Sequence, residues 1–88
     1  MMASPGMFID SLKNEPFERL IAERNSLLHD IKDLEKIVFQ EEKTDPEWDV
    51  HPGPDVRYQM DLEYLSALCT FMQEKFNAEV VRKGEVEA

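Results

Sequence analysis

The side chains of this chain that could do chemistry are few, and most fall in one stretch, TDPEWDVHPGPDVRYQ, residues 44–59. Asp45, Glu47, Asp49, His51 and Asp55 alternate there with Pro46, Trp48, Val50 and Pro52. Alternating acids resemble a calcium loop, whose side chains converge on one hard cation. The pattern fails at three points: Val50 stands where the sharp turn needs glycine, Val56 stands where the bidentate glutamate belongs, and prolines interrupt the coil. A looser site from Asp45, Glu47, Asp49 and His51 meets a geometric objection. Alternate residues of an extended segment lie ~6.6 Å apart, whereas metal ligands must converge at ~2–2.6 Å. A weak metal site in this linker is therefore only an alternative, and the expectation is no metal and no cofactor.

The same alternation has a structural reading. The residues before Pro46, Pro52 and Pro54 are biased toward extended backbone, so an extended strap would put the apolar residues on one side and the acids on the other. Trp48 and Val50 are then the anchors of the strap, with the indole N–H seeking an acceptor. The rival reading makes Trp48 an exposed contact for a partner. The anchor is favoured, because an apolar side chain on a small domain usually serves its own stability first. If the strap binds anything, it does so with the outward acids Asp45, Glu47 and Asp49.

Elsewhere the chemistry is sparse. Cys69 is the single cysteine, so no intramolecular disulfide is available. Its place in an apolar helical face predicts a buried, inert thiol, and no base is within helical reach to activate it. Tyr58, Tyr64, Phe71 and Phe76 recur at helical spacing without basic neighbours among them, which suits a core better than a base-stacking surface. There is no Gly-rich phosphate loop, CxxC or HExxH motif. Catalysis is not expected.

Two helical segments must position these residues. Phe17, Leu20, Leu27, Ile31, Leu34 and Val38 follow threes, fours and their sum, the signature of an amphipathic helix. This first helix is expected over 14–42, with Asn14 as N-cap and Glu15 and Pro16 in the first turn. Arg24 interrupts its stripe, either snorkelling to solvent or fixing register through Asp61 or Glu79. The connection occupies 43–53. The second helix is expected over 54–83, opened by Pro54 and Asp55 and closed by Arg82, Lys83 and Gly84. Residues 1–13 form an arm or short helix, in which Met7, Phe8, Ile9 and Leu12 could pack on the end of a bundle. Residues 84–88 form a tail.

The apolar face of the second helix is wider than that of the first. Leu62, Cys69 and Phe76 form one column, Tyr58, Leu65 and Met72 another, Leu68 a third, and Tyr64 and Phe71 a fourth. Four adjacent columns of seven cover about half the circumference, more than one antiparallel neighbour buries. The face at Tyr58, Leu62, Tyr64, Leu65, Leu68, Phe71, Met72 and Phe76 is therefore the expected dimer or partner surface.

Size and charge agree. Eighty-eight residues make one small domain, and a single helical seam in so short a chain offsets little of its ordering entropy. The net charge of −9 resides in residues 15–42, the connection and the tail. That balance opposes nucleic acid and anionic membrane as ligands, no stretch is long and apolar enough to span a bilayer, and no secretory signal opens the chain. A cytoplasmic location is expected. The fold should be all-α: a two-helix antiparallel hairpin with an extended Pro-rich connection, dimerising into a four-helix bundle. The expected function is a non-enzymatic interaction module, an adaptor or regulator, forming a homodimer or meeting a basic or helical protein. An alternative is an acidic mimic of nucleic acid that inhibits a basic protein, although Arg19, Arg24, Lys32 and Lys36 interrupt the acidic surface.

Overall fold

The computed structural model describes residues 4–81, which are mostly helical and contain no strand among them. Helix α1 spans Pro5–Asp10, α2 spans Phe17–Val38 and α3 spans Pro54–Phe76; a 3-10 turn, Pro46–Asp49, lies in the connection, and a turn of π-helix, Asn77–Val81, follows α3. Arg82, Lys83, Gly84 and the tail 84–88 lie outside the described residues.

Each boundary has a local cause. Ser4 caps α1, its hydroxyl accepting from the Met7 N–H at 3.3 Å, and Pro5 follows in the first helical turn. Helix α2 starts at Phe17 rather than Asn14, with extended Pro16 in the N-cap position and no side-chain cap. A residue that precedes proline avoids the helical region, so Glu15 blocks extension back to Asn14. At its other end α2 stops at Val38 rather than near Glu42. Lys43 folds back there, its ammonium donating to the carbonyls of Val38 at 2.6 Å and Gln40 at 3.1 Å, a favourable use of a cation at the negative end of a helix. Helix α3 starts with Pro54 behind Gly53 and carries Asp55 in its first turn.

Helices α2 and α3 pack along their lengths, and their contacts run in inverse order. Tyr58 near the start of α3 donates to Glu35 near the end of α2 at 2.8 Å, while Phe17 at the start of α2 shares a recess with Phe76 at the end of α3. Between them Leu20 and Leu68 are fully enclosed, joined by Leu27, Met72 and Tyr64. Burying such side chains contributes about 1.5–3 kcal/mol each.

Helix α1 supplies a third layer. Rather than closing the end of a bundle, it lies against α3. The ring of Phe8 meets that of Tyr64, midway along α3, at 4.9 Å between centroids and 33° between planes. Leu12 is buried in the same core, and Ile9 is partly buried against it. Met7, by contrast, points outward. Part of the width of α3 is thus covered within the chain.

The connection is not an extended strap. Asp45 accepts from the Glu47 N–H at 2.9 Å and initiates the 3-10 turn, a local side-chain-to-backbone bond that competes with extended backbone. The His51–Pro52 peptide is cis.

Candidate functional site

Because residues 46–49 turn with a period near three, the two-residue alternation no longer sorts apolar from acidic side chains. Trp48 is half-buried and Val50 is 48% exposed, so Val50 is no anchor. The ammonium of Lys43, having capped α2, lies 5.0 Å from the Trp48 ring centroid, within cation–π range. The indole nitrogen is enclosed without an acceptor among the described residues. Nor do the acids all face outward: Glu47 takes a 2.7 Å ion pair from Arg57, whose Nε donates to the Pro52 carbonyl at 3.1 Å. The side chains of Asp45 and Glu47 are thereby engaged separately, and no group of three or more acids, histidines or cysteines that could hold a metal occurs among the described residues.

The residues expected on the wide face of α3 separate into three environments. Tyr64, Leu68 and Met72 are buried between α1, α2 and α3. Leu65 and Phe71 are half-buried against that core, and Tyr58 is half-buried with its ring edge-on to Phe39 at 5.8 Å. Leu62 and Phe76 remain 42% and 41% exposed. Cys69, expected to be buried, is exposed beside them. At about 100° per residue, Leu62, Cys69 and Phe76 share one flank of α3, turned away from the flank that holds Tyr64.

Helix α2 continues this strip. Ile21 and Leu28 are 36% and 43% exposed and lie on the same side of α2 as Phe17 and Arg24. Phe17 and Arg24 line a recess of about 310 Å³ with Cys69, Met72, Gln73 and Phe76 of α3. Both helices thus turn apolar side chains to one side of their seam. Arg24 sits in it half-buried, its Nε enclosed without an acceptor among the described residues and its nearest hydrogen bond a long 3.4 Å contact to Asn25. Neither expected partner meets it: Glu79 pairs with Lys75 at 2.6 Å, and Asp61 faces the other side of the seam.

That other side is polar. Asp61 of α3 and Asp30 of α2 line a cleft of about 410 Å³ with Arg57, Glu47, Leu34 and Ile37. Asp61 is the one buried charged residue among those described, at 9% exposure. Burial, and secondarily the charge of Asp30, push its carboxyl above the usual range, while Arg57 pulls the other way. Asp61 was visible in the sequence as a seam-edge residue, but not this cleft. The signal that could have found it is its spacing with Arg57, Tyr64 and Leu68, which places an acid on the inward side of α3. The Tyr58 hydroxyl is also raised, by its hydrogen bond to the Glu35 carboxylate.

None of these groups forms a nucleophile–base pair among the described residues, and no described helix is long and apolar enough to cross a membrane. Comparison with protein-family models, with curated proteins and with solved structures finds no match to this chain.

Proposed function

We propose that the chain is a small, acidic, non-enzymatic interaction module, a helical hairpin that pairs with a second copy through the open strip of α2 and α3 and so completes a four-helix bundle. The observation that carries this reading is the strip itself: Ile21, Leu28, Leu62 and Phe76 leave large apolar side chains in solvent on one side of a single seam. Contiguous apolar surface of this kind marks an association site, and a two-fold dimer meets it with the same residues from both sides. Arg24 supports the reading, since its unsatisfied donor would find acceptors on a second copy.

In such a bundle the acids of α2 and the connection stay outside. Glu18, Glu41 and Glu42 are exposed without an ion pair among the described residues, whereas Glu23 and Asp33 are engaged by neighbours on their own helix. Glu18, Glu41 and Glu42 are then the residues that select a basic partner by charge, which is how an adaptor or regulator of this build would work.

Cys69 offers a direct probe because it is exposed in the single chain and lies within the strip. Its alkylation is expected to slow as protein concentration rises through association, and to lose that dependence in the Leu62→Glu, Phe76→Glu double variant. A rate independent of concentration in the unaltered protein would overturn the reading.

A further inference from the structure

The cleft on the polar side of the seam has no role in that dimer, and its chemistry points to a ligand of its own. Asp61, 91% buried by its 9% exposure, lines the cleft and receives no hydrogen bond from any described residue. The cation that could neutralise it is committed elsewhere: Arg57 gives Nη2 to Glu47 at 2.7 Å and Nε to the Pro52 carbonyl at 3.1 Å. Across the cleft stands a second carboxylate, Asp30, exposed and without an ion pair among the described residues. Asp33 of α2 lines the cleft as well but is engaged by His29 and Lys36 on its own helix, so Asp61 and Asp30, from facing helices, are the two carboxylates left open to it, with the Glu47–Arg57 pair neutral beside them. The Asp61 carboxylate opens into the cleft rather than being sealed off, so an incoming donor can reach it, and beside a second open carboxylate the site favours whatever brings it donors and positive charge.

The rest of the lining narrows the ligand. Leu34 and Ile37 provide apolar wall, and no trio of metal-binding side chains converges among the described residues, which argues against a bare divalent ion. An ammonium head offers three donors and one positive charge, and an alkyl stem behind it suits the apolar wall as lysine stems suit apolar surface elsewhere. A cleft of about 410 Å³ lies within the range of small-ligand sites.

We propose that this cleft is a binding site for a primary alkylammonium group, held between Asp61 and Asp30 with its stem along Leu34 and Ile37. The group could arrive on a free amine or on a lysine of another protein. The site does not depend on the dimer, because it lies on the opposite side of the α2–α3 seam from the open strip.

The test is a titration of the isotope-labelled full chain, followed by amide shifts at ~0.15 M salt to screen diffuse attraction. The probes are n-butylammonium and the tripeptide acetyl-Gly-Lys-Gly-amide, with acetyl-Gly-norleucyl-Gly-amide as the uncharged control. Saturable shifts are expected at Leu34, Ile37, Arg57 and Asp61 with the two charged probes and not with norleucine. Affinity should fall at least about tenfold in Asp61→Asn, the scale of a charge-assisted hydrogen bond, and stay unchanged in Asp49→Asn, which removes the same charge from the connection. Asp30→Asn gives a second reading should Asp61→Asn perturb the helices, and it should also weaken binding. Comparable affinity for the amine and the peptide identifies free amines as sufficient ligands, and preference for the peptide identifies a lysine side chain. Shifts that persist in Asp61→Asn and Asp30→Asn, or that spread over the acidic surface without saturating, would show only diffuse charge attraction and overturn the proposal.

Discussion

The two flanks of α3 begin with similar apolar residues and end in different states. On one, Tyr64 is covered by α1 and the core and Phe71 is half-buried against that core; on the other, Leu62 and Phe76 remain beside exposed Cys69. The difference is a matter of which segments the chain has to spare. Residues 5–12 supply Phe8, Ile9 and Leu12 to the first flank, whereas the connection, drawn toward Arg57 by Glu47 and toward the end of α2 by Lys43, has nothing left for the second. An uncovered apolar strip in a small domain is therefore better read as a remainder after internal packing than from the sequence width of the helix. The chain closes its own core first, and what stays open is available for association.

This contrast can be broken from either side. The largest effect should come from the shared centre: Leu68→Ala empties a fully enclosed position and is expected to cost about 3 kcal/mol or more, measured by urea unfolding. Phe8→Ala attacks only the covered flank. It should cost about 2 kcal/mol, less than a fully buried phenylalanine because Phe8 is half-buried, and it should expose Tyr64 to solvent, visible as a change in tyrosine fluorescence. If Phe8→Ala proves neutral, the two flanks do not differ in the way described.

Asp61 gives a smaller effect with a definite sign. Its carboxyl is raised in the folded state, chiefly by burial and then by Asp30, with Arg57 opposing. The folded chain thus holds that proton more tightly than the unfolded one, so its contribution to stability is full below the ordinary aspartate value of 3.8 and is lost as pH rises through the raised value. Asp30, Asp33, Glu47 and Arg57 line the same cleft. Asp61→Asn should stabilise the protein at neutral pH, with the advantage vanishing in acid. The comparison is a pair of unfolding curves at two pH values, and an advantage equal at both would contradict the assignment.

Much of this architecture can be traced in the sequence, and the parts that cannot have physical reasons. Helical content was legible because Leu20, Leu27, Ile31 and Leu34 repeat at threes and fours, and no strand-like run competes outside the connection. The helix ends were less so. Asn14 is a better cap by type than Pro16, but the backbone restriction before proline decided the start, and the cap at the other end came from Lys43, five residues beyond Val38. In the connection, two-residue alternation suggested extended backbone, yet a single bond from the Glu47 N–H to Asp45 converts it into a turn, separating Trp48 from Val50. The breadth of the α3 face was visible; its division between α1 and solvent was not, because nothing in the local pattern of Phe8 and Leu12 says which helix they will meet. The cleft at Asp61 was hidden for the same reason, as it needs Asp30, Glu47 and Arg57 from three separate segments.

The most direct measurement is molar mass in solution by light scattering over a concentration series, on the unaltered chain and on Leu62→Glu, Phe76→Glu. The open strip predicts a mass rising to twice that of the 10.3 kDa chain for the first and a folded single chain for the second, since a charge in an apolar contact opposes association more than it disturbs the exposed surface of the monomer. A folded monomer at every concentration in the unaltered protein would contradict self-association through this strip.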